Sequence, residues 1–149
     1  MTIKQQLYNQ CFEFVENRFL IVQKTINEIQ ESLLSETKST AGDKHEIGRA
    51  MLQLEREKAG NQLSEIVKVK EALSKIDTSK SLKSIGLGSV VYTRQANYYI
   101  AVSAGQLKVE NNLFYAISAS TPIGQLLIGK TAGDTIIFRE SSFKIIEVL

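Results

Sequence analysis

The stretch YNQCFEFVENRFLIVQKTINEIQESL, Tyr8 to Leu33, decides how the first half of the chain folds. Apolar residues recur at Tyr8, Phe12, Val15, Phe19, Val22, Ile26, Ile29 and Leu33. The steps alternate four and three, the spacing of an a/d seam in a coiled coil. Gln23, Lys24, Glu28 and Glu31 take the outer face. A second helical run starts near Asp43 and reaches about Ile76, with a looser stripe of Leu52, Ala59, Leu63, Ile66, Leu73 and Ile76. Arg56 and Lys70 interrupt neighbouring seam positions. Two such helices joined by a short polar loop form an antiparallel hairpin. Arms of about 30 residues predict a rod of roughly 45 Å. One narrow seam buries little surface, so the rod is expected to lean on a second domain, a partner or a second copy.

After the hairpin the period changes. The segment DTSKSLKSIGLGS, Asp77 to Ser89, is rich in Ser, Lys and Gly and reads as a linker. Beyond it, SVVYTR, NYYIAVSA, LFYAIS, DTIIFR and SFKIIEV are short, β-branched and aromatic, separated by turn residues. They predict about five strands in a small, mostly antiparallel sheet. One stretch breaks that rhythm: SASTPIGQLLIGKTAGD, Ser118 to Asp134. Thr121 or Ser120 can cap a short helix that starts at Pro122, the single proline of the chain. Ile123, Leu126 and Leu127 are expected to form its apolar face, and Gly129 to end it. The fold class is therefore α+β, with a helical hairpin over 1–78, a linker over 79–87 and a small sheet domain over 88–149.

Charge excludes one class of function. Up to Lys80 the chain has 12 Lys plus Arg against 12 Asp plus Glu, and beyond it 6 against 4. No basic tail or run supports free-standing DNA binding. No signal-peptide pattern and no membrane-length apolar run are present. Cys11 is alone, so no internal disulfide forms, and it reads as a small apolar group on a helix. The expected location is the cytoplasm. No His/Cys metal cluster, Walker loop, G-x-G-x-x-G or Ser/His/Asp set occurs in the sequence.

The loop between the helices holds two acids, Asp43 and Glu46, at i and i+3. One reading is a capping box, with Asp43 as N-cap and Glu46 at the third helical position. The other leaves the cap to Ser39 or Thr40 and puts both acids in the first turn, where the helix dipole favours negative charge. Both readings stand on the residues alone. His45 reads as a solvated loop histidine, and Arg49 and Arg56 as a solvated helix face. Tyr92, Tyr98, Tyr99 and Tyr115 read as cross-strand packing, not as a base-stacking platform.

The stretch Ile117 to Asp134 resembles the signature of the Gre transcript-cleavage factors, I-S-x-x-S-P-I-G-x-A-L-L-G-K-x-x-G-D. The matching residues are Ile117, Ser118, Pro122, Ile123, Gly124, Leu127, Gly129, Lys130, Gly133 and Asp134. Thr121 stands where the signature has Ser, Leu126 where it has Ala and Ile128 where it has Leu, and Ser120 falls on a variable position. GDKHEIGRA, Gly42 to Ala50, is similar to that family's acidic tip, G-D-L-S-E-N-A-E-Y. Lys44 and His45 replace Leu and Ser, Ile47 replaces Asn, and Arg49-Ala50 replaces Glu-Tyr.

The resemblance implies an FKBP-like C-terminal domain that docks on bacterial RNA polymerase, with the hairpin entering the secondary channel. It implies that Asp43 and Glu46 supply ligands to a Mg²⁺ shared with the polymerase, so that backtracked transcripts are cleaved. The chain would then be an accessory factor and not an enzyme, with no stably bound cofactor, and would meet nascent RNA only indirectly. Ser120, Pro122, Ile123 and Gly124 are implied as the polymerase contact. No membrane partner is expected, and the state is a monomer or weak dimer. Two other readings stay open: a channel-binding regulator without cleavage activity, and an FKBP-like prolyl isomerase or chaperone.

Overall fold

The computed structural model describes residues 1–37 and 42–149, with the side chains of residues 36, 37 and 42–45 left outside the description. The chain divides into two compact units, Val15–Lys70 and Met1–Phe14 with Glu71–Leu149. Helix α1 runs Ile3–Thr37 and α2 runs Gly42–Ser74. No described helix is long and apolar enough to cross a membrane.

In the Val15–Lys70 unit the two helices pair antiparallel along the expected seam. Ile26, Ile29 and Ala59 are buried there, with Val22, Leu33, Leu52 and Leu63 packed around them. The small Ala59 lets the helices approach, and the isoleucines fill the space. Where the stripe on α2 turns polar, charge is handled locally. The Lys70 ammonium sits 4.1 Å from the centre of the Phe19 ring and 3.0 Å from a Glu16 carboxylate oxygen. Its alkyl stem covers apolar surface while its head stays paired.

In the other unit the buried side of α1 differs from the expected one. Leu7 and Cys11 are fully buried, whereas Phe12 is 46% exposed and Tyr8 is only half-buried. The register shifts by one residue because these first turns pack within the sheet unit and not on a coiled-coil seam. The Gln10 amide donates to the Lys108 carbonyl at 2.9 Å, and Lys4 Nζ donates to the Lys80 carbonyl at 2.6 Å. Burial pushes the Cys11 thiol up to about 12. Burial, and then the neighbouring Cys11 and Tyr8, raises the Tyr99 phenol, whose hydroxyl is buried without a partner among the described residues.

Six strands form one sheet where the sequence pattern predicted about five. They are β1 Val90–Thr93, β2 Asn97–Ile100, β3 Gly105–Val109, β4 Asn112–Ile117, β5 Thr135–Phe138 and β6 Ser141–Val148. Their order is β3-β4-β2-β1-β6-β5. β2 and β4 run parallel, and the other neighbours antiparallel. The unexpected strand is β3, whose sequence GQLKV holds only Leu107 and Val109 inward. It pairs through a two-residue turn at Glu110 and Asn111, both with positive φ (52° and 72°). That is the geometry of the turn that matches strand twist, usually marked by Asn-Gly or Asp-Gly.

One face of the sheet carries a core of Ile85, Val91, Ile100, Leu127, Ile136, Phe143 and Ile145. The residues read as a linker take part in it. Ile85 is buried, and its backbone exchanges bonds with Lys130 and Gly129, each at 2.8 Å. Gly88 closes the segment at φ +89°, where an added Cβ would sit 2.9 Å from Ile76 Cγ2. On the tyrosines, the packing reading holds: Tyr98 lies opposite Tyr115 with ring centres 6.2 Å apart, and Tyr92 meets Phe114 edge-on at 5.8 Å.

The raised Cys11 thiol sets an alkaline limit on stability. The unfolded thiol loses its proton near 9.0, and the folded one only at about 12. Above the lower value the native state holds more protons, so stability falls as pH rises through that window. Denaturant unfolding from pH 8 to 11 should show this decline, and Cys11→Ala should flatten it. Native protein should also resist thiol labelling at pH 8 until it is unfolded.

Candidate functional site

Two regions carry the residues singled out from the sequence, one in each compact unit. At the turn end of the hairpin, α2 begins at Gly42, so Asp43 is already inside the helix and Glu46 follows in its next turn. An N-cap residue lies outside the helix it caps. The alternative caps, Ser39 and Thr40, lie outside the described residues, as do the side chains of Asp43, Lys44 and His45. Glu46 is exposed. Residues three apart on a helix share a side, so the backbone puts both acids on one flank of α2.

The exposed surface continues past the acids. Ile47, Met51 and Leu54 are all strongly exposed and recur at steps of four and three on α2. Leu34 on α1 is equally exposed. Arg49, expected on a solvated face, is instead partly buried and donates to the Leu33 carbonyl at 3.3 Å. A cation near the C-terminal end of α1 is favoured by the helix dipole.

The second region is α3, Pro122–Leu127. Thr121 is its N-cap, with Oγ1 accepting from Gly124 N–H at 3.1 Å and donating to the Ser118 carbonyl at 2.8 Å. Thr121, which stands where the Gre signature has Ser before Pro, thus supplies the cap. Pro122 takes the first position, where a missing N–H costs nothing. Gly129, at φ +83°, follows the cap residue Ile128 and donates to the Ile85 carbonyl at 2.8 Å. Leu127 is fully buried and Ile123 half-buried, but Leu126 is 38% exposed and not part of the buried face.

The residues implied as a partner contact separate by burial. Ser120 and Pro122 are exposed, with the Ser120 hydroxyl 2.8 Å from that of Ser118. Ile123 packs against the core. Gly124 is buried, and an added Cβ would stand 2.4 Å from the Ser118 carbonyl oxygen. Its part is to let the helix lie against that carbonyl. With Leu126 and Ile128 half exposed beside them, Ser120 and Pro122 form the accessible rim of α3.

Among the described residues no group of three His, Cys, Asp or Glu side chains gathers to hold a metal. Asp43 and Glu46 are carboxylates, the hard oxygen ligands that Mg²⁺ and Ca²⁺ take.

Replacing Thr121 by Ala removes the cap and should lower stability by about 1 kcal/mol. Gly124→Ala forces backbone movement and should cost more, about 1–3 kcal/mol. Urea unfolding monitored by circular dichroism checks both, and the order of the two losses is the test.

No protein-family model matches the chain, and no curated protein matches it. Two solved structures are similar at low scores. One is the transcription factor Gfh1, 17% identical, with a TM-score of 0.34 over 95% of this chain and 92% of that one. The other is the GreA factor homolog 1 (Gfh1) protein of Thermus thermophilus, 17% identical, with a TM-score of 0.35 over 95% of this chain and 94% of that one. At these scores the similarity bears on neither activity nor partner.

Proposed function

We propose that the chain is an accessory factor of RNA polymerase whose hairpin enters the secondary channel and stimulates cleavage of backtracked transcripts. The observation that carries this reading is the position of the acids: Asp43 and Glu46 lie within α2 at the turn end of a long hairpin, and Glu46 is exposed. The signature-like segment from Ile117 to Asp134 supports it from the sequence side. The exposed stripe of Ile47, Met51 and Leu54 behind the acids supports a macromolecular partner for this part of the hairpin.

In this reading the two carboxylates act as hard oxygen donors in trans. A divalent ion bound at the polymerase active site would lower the pKa of a bound water and clamp attacking and leaving oxygens. The contribution of this chain would be to present both acids three residues apart at the start of α2. Because that set is incomplete on its own, the chain turns nothing over by itself. Ser120 and Pro122 would meet the polymerase, while Gly124 and Ile123 hold the shape of that rim.

A second reading is a channel-binding regulator that does not promote cleavage. Ile47, 62% exposed where the Gre tip carries Asn, favours it, because an apolar contact serves binding and not metal capture. Lys44 between the acids adds a charge that competes with a cation.

The test is a polymerase pull-down followed by restart of arrested elongation complexes with Mg²⁺. The wild type should bind and restart. Asp43→Asn with Glu46→Gln should bind equally and lose restart by about tenfold or more, at least ~1.4 kcal/mol in the barrier. Unchanged restart in the double variant sinks the ligand role. Binding without restart in the wild type selects the second reading.

A further inference from the structure

The outer strands of the sheet hold a site that the hairpin does not use. Between the turn after β1 and the β5–β6 pair lies an open pocket of about 510 Å³, lined by Arg94, Gln95, Thr135, Ser141, Ser142 and Lys144. That volume falls within the range of small-molecule sites, roughly 300–1,000 Å³. The pairing register builds it. Thr135 lies opposite Lys144, and Ile137 opposite Ser142. The Arg94 backbone N–H donates to the Lys144 carbonyl at 3.2 Å, which brings the turn residue beside β6. Residues two apart on a strand share a face, so Ser142 and Lys144 look outward while Phe143 and Ile145 enter the core.

The charge of this pocket is one-sided. Two of its lining residues are cations and none is a carboxylate. Lys24, Lys68 and Lys70 are paired with glutamates, but neither Arg94 nor Lys144 makes an ion pair among the described residues. An anion between them would meet two cations and no lining carboxylate. Every polar lining side chain can donate: a guanidinium fork, an ammonium, three hydroxyls and one amide. A carboxylate has two oxygens to offer. A phosphate monoester has three terminal oxygens and about −1.5 to −2 charge at neutral pH.

We propose that this pocket binds the phosphate group of a small phosphate ester. Arg94 and Lys144 neutralise the charge, and Thr135 and Ser142, on the face of Lys144, donate to the remaining oxygens. Ile137, 72% exposed on the same face as Ser142, gives the organic part of the ester an apolar surface at the rim.

The full chain is titrated with inorganic phosphate, with adenosine 5′-monophosphate, and with a short single-stranded oligonucleotide lacking terminal phosphates, at constant ionic strength. Backbone amide shifts are followed by NMR. Saturating shifts centred on Arg94, Gln95 and residues 141–144 are expected with the first two, and weaker binding with the oligonucleotide. Arg94→Gln with Lys144→Gln should weaken binding by about tenfold or more, as for hydrogen bonds to a charged group. Lys144→Arg should keep it. Phosphate should raise the melting temperature of the wild type and not of the double variant. Shifts that do not saturate, equal effects from chloride, tighter binding of the oligonucleotide, or full affinity in the double variant would each overturn the proposal.

Discussion

A two-helix hairpin has one seam to bury, and that constraint governs the Val15–Lys70 unit. The interhelical core is narrow: Ile26, Ile29 and Ala59, with Val22, Leu33, Leu52 and Leu63 around them. Burying one such aliphatic side chain contributes about 1.5–3 kcal/mol, which must offset the entropy of ordering two long helices. Two polar residues that reach the seam are employed there. Lys70 covers Phe19 and pairs with Glu16, and Arg49 binds the Leu33 carbonyl. A seam this narrow also leaves large apolar residues outside it, including Ile21, Leu34, Ile47, Met51 and Leu54. The same geometry that limits the core thus produces a surface fit for contact.

The sheet unit solves its packing in a different way. It buries one face beneath Leu127 of α3, and it buries Leu7 and Cys11 from the first turns of α1. Close approach replaces bulk at critical points. Gly124 lets α3 lie on the Ser118 carbonyl, and Gly88 lets the chain pass Ile76. Thr121 satisfies the helix start that this approach leaves open. Where the strands run past the cover at β5 and β6, polar and cationic side chains face outward, and Ile137 stands among them.

The candidate site was legible in part. The acids were found because their spacing and their place between two helical runs are local features. Thr121 and Pro122 were legible as a helix start because capping chemistry involves only neighbours three residues away. The splitting of the Ser120–Gly124 segment into exposed and buried members was not legible, since it depends on which carbonyl lies across from Gly124. Arg94 and Lys144 left no signal at all, being 50 positions apart in the numbering.

The sequence by itself determined the helical and strand periods, the position of the interhelical turn, the break at Pro122 and the inert character of Cys11. Each is a local property, written in steps of two, three or four residues. Tertiary structure alone decided that Leu7 and Cys11, and not Tyr8 and Phe12, are buried in the first turns of α1. It decided that β3 exists, that β2 runs parallel to β4, and that Arg94 meets Lys144. These outcomes depend on which distant segment supplies the other surface. A stripe of apolar residues specifies a face to within about one residue, and only the partner surface selects which neighbour goes inside.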